Sequence, residues 1–131
     1  MAKTEITEDY VSFETAQLLK QKGFDADCAA VYDLEFPKSC ADGKLYFNFC
    51  DENPNRRSDL CSAPTLHVAR KWLNKVKGIS NYISCENFEE RYYWVAYKEP
   101  SFTRQRSKNT FATEEKAAED LIKYCLTNLI D

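Results

Sequence analysis

The chain contains no apolar run near the roughly 18 residues that a membrane-spanning helix requires, so no membrane association is expected. Its three glycines, Gly23, Gly43 and Gly78, lie too far apart to form a phosphate-cradling loop, which removes the common nucleotide-binding fingerprints. A single histidine, His67, must serve any imidazole acid–base step or any Cys–His nucleophile pair. The six cysteines, Cys28, Cys40, Cys50, Cys61, Cys85 and Cys125, are each at least ten residues from the next, without the short gap of a zinc knuckle. Adjacent acids at Glu8–Asp9, Glu89–Glu90 and Glu114–Glu115 point to opposite faces of a strand, or diverge by about 100° on a helix, so no pair addresses one substrate atom. No catalytic, cofactor-binding or metal-ligating constellation is legible. A non-enzymatic protein is the expectation.

The opening segment, Met1 to Asp9, is polar and acidic, with neither the apolar centre nor the small-residue cleavage site of a secretory signal. A cytoplasmic location is therefore expected, and with it free thiols in place of disulfides. Cys125 among the leucines of the last helix, and Cys85 in register with Ile83, read as small core hydrophobes. Cys40, Cys50 and Cys61 flank loops and read as exposed.

What the 131 residues do hold, with 44% of them apolar, is enough to bury one core, and residues 1–131 read as a single domain. The clearest element runs between Ser62 and Gly78: a Ser-Ala-Pro-Thr start, apolar residues at Leu66, Ala69, Leu73 and Val76 beside Trp72, and a Lys77–Gly78 stop. Ahead of it, Ser12 caps a short helix through Phe13, Ala16 and Leu19 to Gly23. Two runs of period-two apolar residues follow, Ala30 to Phe36 and Leu45 to Phe49, which predict an antiparallel strand pair. Asp51 to Asp59 has no apolar side chain and reads as a solvated loop. A second strand pair is expected over Ile79–Phe88 and Arg91–Tyr97, then a polar, basic stretch from Lys98 to Asn109. Thr113 caps a closing helix with its apolar face at Ala118, Leu121, Ile122, Cys125, Leu126 and Leu129. The expected fold is α+β in two layers, a four-stranded mainly antiparallel sheet packed by three helices in the order α-β-β-α-β-β-α, with a meander as the simplest strand order.

The net charge of −3 divides unevenly along the chain. Residues 1–55 carry five Lys/Arg against eleven Asp/Glu, residues 56–108 eleven against five, and residues 109–131 two against five. A basic middle between acidic ends either attracts an anionic partner or balances the acidic segments within the fold. Two places concentrate the candidate contacts. One is the polar side of the central helix, with His67, Arg70, Lys71, Asn74 and Lys75. The other is the stretch 91–108, where Arg91, Lys98, Arg104, Arg106 and Lys108 are interleaved with Tyr92, Tyr93, Trp94, Tyr97 and Phe102. Aromatic rings beside cations suit single-stranded nucleic acid, although the acidic whole-chain balance runs against a dedicated binder.

Segments at Ala63-Pro64-Thr65, Ala69-Arg70-Lys71-Trp72-Leu73 with Val76, and Gly78-Ile79 resemble a family of short uncharacterised proteins of gut anaerobes and of their phages and mobile elements. The resemblance extends to Val11–Ala16 with Leu18-Leu19-Lys20 and Gly23-Phe24, and to Thr113-Glu114-Glu115, Ala117-Ala118, Ile122-Lys123-Tyr124 and Asn128-Leu129-Ile130. These words are caps and core faces. The resemblance implies a small cytoplasmic accessory protein of phage or mobile-element origin and assigns no activity to any residue. The leading expectation is a non-enzymatic module that engages a protein partner. The alternatives are a single-stranded nucleic-acid binder using residues 91–108 and a thiol enzyme pairing an exposed cysteine with His67.

Overall fold

A computed structural model of the chain describes residues 9–26, 28, 30–33, 45–46, 54–56, 60–86, 91–98 and 103–130. Three helices form where capping and periodicity place them. Helix α1 spans Phe13–Gln21, with the Ser12 hydroxyl accepting from the Thr15 N–H. Helix α2 spans Leu66–Lys77, capped by Thr65 through the Val68 N–H and ended by Gly78 at φ 68°, a left-handed geometry that a Cβ would strain. Helix α3 spans Glu114–Tyr124, capped by Thr113, and its last turn widens into a π-helical turn over Cys125–Leu129.

The strands differ from the expected single sheet. Strands β1 (Val31–Asp33), β2 (Leu45–Tyr46) and β3 (Leu60–Ser62) form one antiparallel sheet in the order β2-β1-β3. Strands β4 (Ile79–Cys85), β5 (Tyr92–Lys98) and β6 (Gln105–Arg106) form a second, the meander β4-β5-β6. The class is α+β as expected, but two three-stranded sheets replace one of four strands. Each half of the chain recruits a short third strand, and each adds a ladder partner where an edge would otherwise stand open. Strand β3 pairs Tyr32 with Cys61, and β6 pairs Val95 with Arg106. Neither is long enough to show a period of two, and β6 lies inside the polar stretch that reads as a loop. Of the Asp51 to Asp59 loop, Pro54–Arg56 makes a single 3₁₀ turn and the rest lies outside the described residues.

One apolar core joins the helices to both sheets, with Leu19, Phe24, Val31, Leu73, Ile79, Trp94, Leu121, Ile122 and Leu126 almost fully buried. Trp72 packs on Phe24, ring centroids 5.4 Å apart, and Trp94 on Tyr124 at 4.8 Å. Val76, expected on the apolar face of α2, is 59% exposed. The helix stripe turns away from the core in its last turn, so Leu73 ends the buried face.

Candidate binding surfaces

Helix α2 buries Leu66, Ala69, Trp72 and Leu73 and thereby turns His67, Lys71, Asn74 and Lys75 to solvent. Arg70 sits at the boundary, half-buried against β4. Its Nε donates to Asn81 Oδ1 at 2.9 Å, and Asn81 Nδ2 donates back to the Arg70 carbonyl at 3.4 Å and to the Ile79 carbonyl at 3.2 Å. This exchange fixes the guanidinium beside the strand. Burial pushes Arg70 below its ordinary value, while Glu114 opposes that shift by stabilising the cation.

The result is an open groove of about 270 Å³ between α2 and β4, lined by His67, Arg70, Lys71, Asn74, Lys75 and Asn81. Five of the expected contact residues converge there, and no carboxylate lines it. Asn81 was not expected. Its signal is visible in retrospect as a polar residue between Ile79 and Ile83, at an inward position of a strand that is otherwise apolar on that face.

His67 and Arg70 also border a second cleft of about 190 Å³, closed on its other side by Asp9, Glu114 and Glu115. The helix face that reads as purely cationic in sequence thus has acids against its first turn, supplied by α3 and by the segment before α1. His67 itself stays exposed, at the mouth of this cleft.

The other five candidates do not join this groove, nor do they all meet one another. Arg104 and Arg106 lie on the outer face of β4-β5-β6, stacked over Tyr97 at 5.5 Å and over Tyr93 at 3.9 Å. Lys98 turns to the opposite side, where its Nζ donates to the Leu129 carbonyl at 3.1 Å. Arg91 and Lys108 are exposed at either end of the segment. The aromatic residues divide as well, because alternation along β5 sends Trp94 and Ala96 into the core and Tyr93 and Tyr97 outward.

The thiols depart from expectation in two places. Cys61, expected to be exposed, is fully buried in β3, where it stands opposite Tyr32 of β1 and joins the apolar core. Cys85, expected in the core, is exposed at the end of β4. Cys125 is buried as expected, Cys28 is half-buried, and Cys40 and Cys50 lie outside the described residues. Burial pushes the Cys61 and Cys125 thiols up to about 12, with Lys20 partly offsetting the effect at Cys61. Such thiols hold their protons at neutral pH and are poor nucleophiles. In native protein alkylated near pH 8, Cys85 is expected to label, and Cys61 and Cys125 only after unfolding, as read by peptide mass spectrometry. Equal labelling rates at Cys61 and Cys85 would contradict this placement. The same two thiols make stability depend on alkaline pH: their contribution is complete below the ordinary thiol value of 9.0 and is lost as pH rises through about 12.

No group of three or more His, Cys, Asp or Glu side chains is arranged to hold a metal among the described residues, and no described helix is long and apolar enough to cross a membrane. Comparison of the chain with protein-family models, curated proteins and solved structures finds no match.

Proposed function

We propose that this chain is a non-enzymatic accessory module that engages an acidic segment of a protein partner through the cationic groove between α2 and β4. One observation carries the reading: His67, Arg70, Lys71, Asn74 and Lys75, with Asn81, line one open groove that contains no carboxylate. The Arg70–Asn81 exchange pre-positions the half-buried cation of this groove, so less ordering is needed when an anionic group arrives. The acids Asp9, Glu114 and Glu115 at the α2 start favour a short acidic peptide over a long polyanion, which they would repel at that end. The phage or mobile-element origin and the cytoplasmic setting belong to the same proposal, and the resemblance of the capping and core segments is what supports them.

Lys71 and Lys75 are exposed, so reversing their charge leaves the core intact. The double substitution Lys71→Glu with Lys75→Glu is expected to weaken partner binding about ten-fold, with an unchanged thermal midpoint, since the exchange turns two rim attractions into repulsions. Parallel affinity captures from the native host with both forms provide the measurement. A partner set retained equally by the two forms, or the absence of any reproducible partner, defeats the proposal.

A further inference from the structure

The outer face of β4-β5-β6 presents chemistry that the α2 groove does not use. Tyr82 of β4 lies directly across from Val95 of β5, and Tyr93 and Tyr97 stand two residues to either side of Val95 on the same face. Tyr82 is therefore a diagonal neighbour of both, at about 7–8 Å. Tyr93 and Tyr97 stand about 13 Å apart along β5, and Tyr82 lies between them on the neighbouring strand, so the three tyrosines share one face. The helix contacts of this sheet fall on the other face: Trp94 Nε1 to Asp120, Tyr124 to Gln105, and Arg70 to Asn81. Among the described residues, no helix packs over the tyrosines.

Two arginines complete the surface. Arg106, opposite Val95 in the register, sits over Tyr93 with its guanidinium carbon 3.9 Å from the ring centroid and is paired with Glu86 at 2.6 Å. A guanidinium fixed on a ring offers its outer plane to a base in the same way that an aromatic ring does. Arg104 lies over Tyr97 and is exposed, placed to meet a phosphate. Glu86 is the carboxylate on this face among the described residues, and it is already paired with Arg106.

We infer that this sheet face is a binding platform for single-stranded nucleic acid, with Tyr82, Tyr93 and Tyr97 as stacking rings and Arg104 and Arg106 as the cationic flank. An acidic peptide would use the two arginines and leave the rings idle; a single strand uses both. Duplex holds its bases stacked inside and cannot reach the rings. With two cations available and one of them neutralised by Glu86, the complex is weak and only mildly salt-dependent. This agrees with a protein that is acidic overall.

The test uses the whole chain with fluorescent oligodeoxythymidine and oligouridine of about 12 nucleotides, within the range of site sizes for single-strand platforms, read by anisotropy. Binding of either strand is expected, the tighter one identifying the natural sugar, with a log–log salt slope of about −0.7 to −1.4. Tyr97→Leu is expected to weaken binding about ten-fold, and Tyr97→Phe to restore it, because stacking needs the ring and not the hydroxyl. Tyr82→Leu, at an exposed position, guards against a folding artefact in the Tyr97 variant and is expected to weaken binding in the same direction. Lys71→Glu with Lys75→Glu is expected to leave oligonucleotide binding unchanged, so this inference and the α2 proposal fail separately. The inference is overturned by any of three outcomes: no anisotropy change at low salt, equal affinity for duplex, or binding that survives both leucine variants.

Discussion

Trp94→Ala lowers the free energy of unfolding by about 3–5 kcal/mol, the range for deleting a buried tryptophan or phenylalanine side chain. The indole stands at the middle of β5 with 2% of its surface exposed, and it is where α3 meets the second sheet. Its ring lies 4.8 Å from that of Tyr124, and its Nε1 donates to Asp120 at 2.8 Å, so one side chain contacts α3 at two positions a helical turn apart. The backbone around it is held independently, by Ser107 Oγ accepting from the Trp94 N–H and by the Ser107 N–H donating to the Trp94 carbonyl. Alanine keeps those two bonds and leaves a cavity. Trp94→Phe isolates the remaining contribution. It retains most of the apolar contact and loses the indole bond, and because Asp120 is exposed and can rehydrate, the loss of that bond adds only about 1 kcal/mol. Urea unfolding of the three proteins measures both steps. An alanine variant within about 1 kcal/mol of the parent would mean that α3 is not clamped through this residue. The same substitution bears on the proposed platform, since Tyr93 and Tyr97 flank Trp94 and Ala96 on the strand that the indole anchors.

Helices were legible in this sequence because each carries its own punctuation. Ser12, Thr65 and Thr113 cap helices where local chemistry says they should, and Gly78 takes the left-handed turn that only a residue without Cβ adopts cheaply. The long strands β4 and β5 were legible from composition, being seven residues each and rich in β-branched or aromatic side chains. The short strands were not. Leu60–Ser62 is buried on every residue and Gln105–Arg106 is polar, so neither has a period to detect, and each exists because a neighbouring ladder offers it hydrogen bonds. The exposures of Cys61 and Cys85 were misplaced for this same reason, since one lies within the short strand β3 and the other at the end of β4, and only tertiary pairing sets both. At the candidate surfaces, the cations of α2 were visible from helical spacing alone. The acids that meet them across the 190 Å³ cleft were not, because Asp9 and Glu114 come to the same cleft as Arg70 only through tertiary packing.

The second large effect is expected at Glu119, a residue that the sequence pattern does not single out. Its Oε1 accepts from the Ser12 N–H at 3.1 Å, from the Ser12 hydroxyl and from the Thr15 hydroxyl, so a carboxylate of the last helix sits on the first turn of the first. That turn carries the positive end of the α1 dipole and donors that α1 cannot satisfy internally. Thr15 is fully buried, so an alanine at 119 leaves its hydroxyl without this acceptor and out of reach of water. Bonds to a charged group are individually worth about 1.5–3 kcal/mol, but these share one oxygen, so Glu119→Ala is expected to cost about 3 kcal/mol in total and not their sum. Glu119→Gln keeps an acceptor and loses the charge, and is expected to cost about half as much. Thr15→Val removes a donor without stranding one, so on its own it is mild. Combined with Glu119→Gln it distinguishes a shared network from two separate defects, since partners in one network depart from additivity by more than about 0.5 kcal/mol. Additive losses in urea unfolding would falsify the view that Glu119 ties α1 to α3. Coupled losses would mean that α1 and α3 fold as one unit.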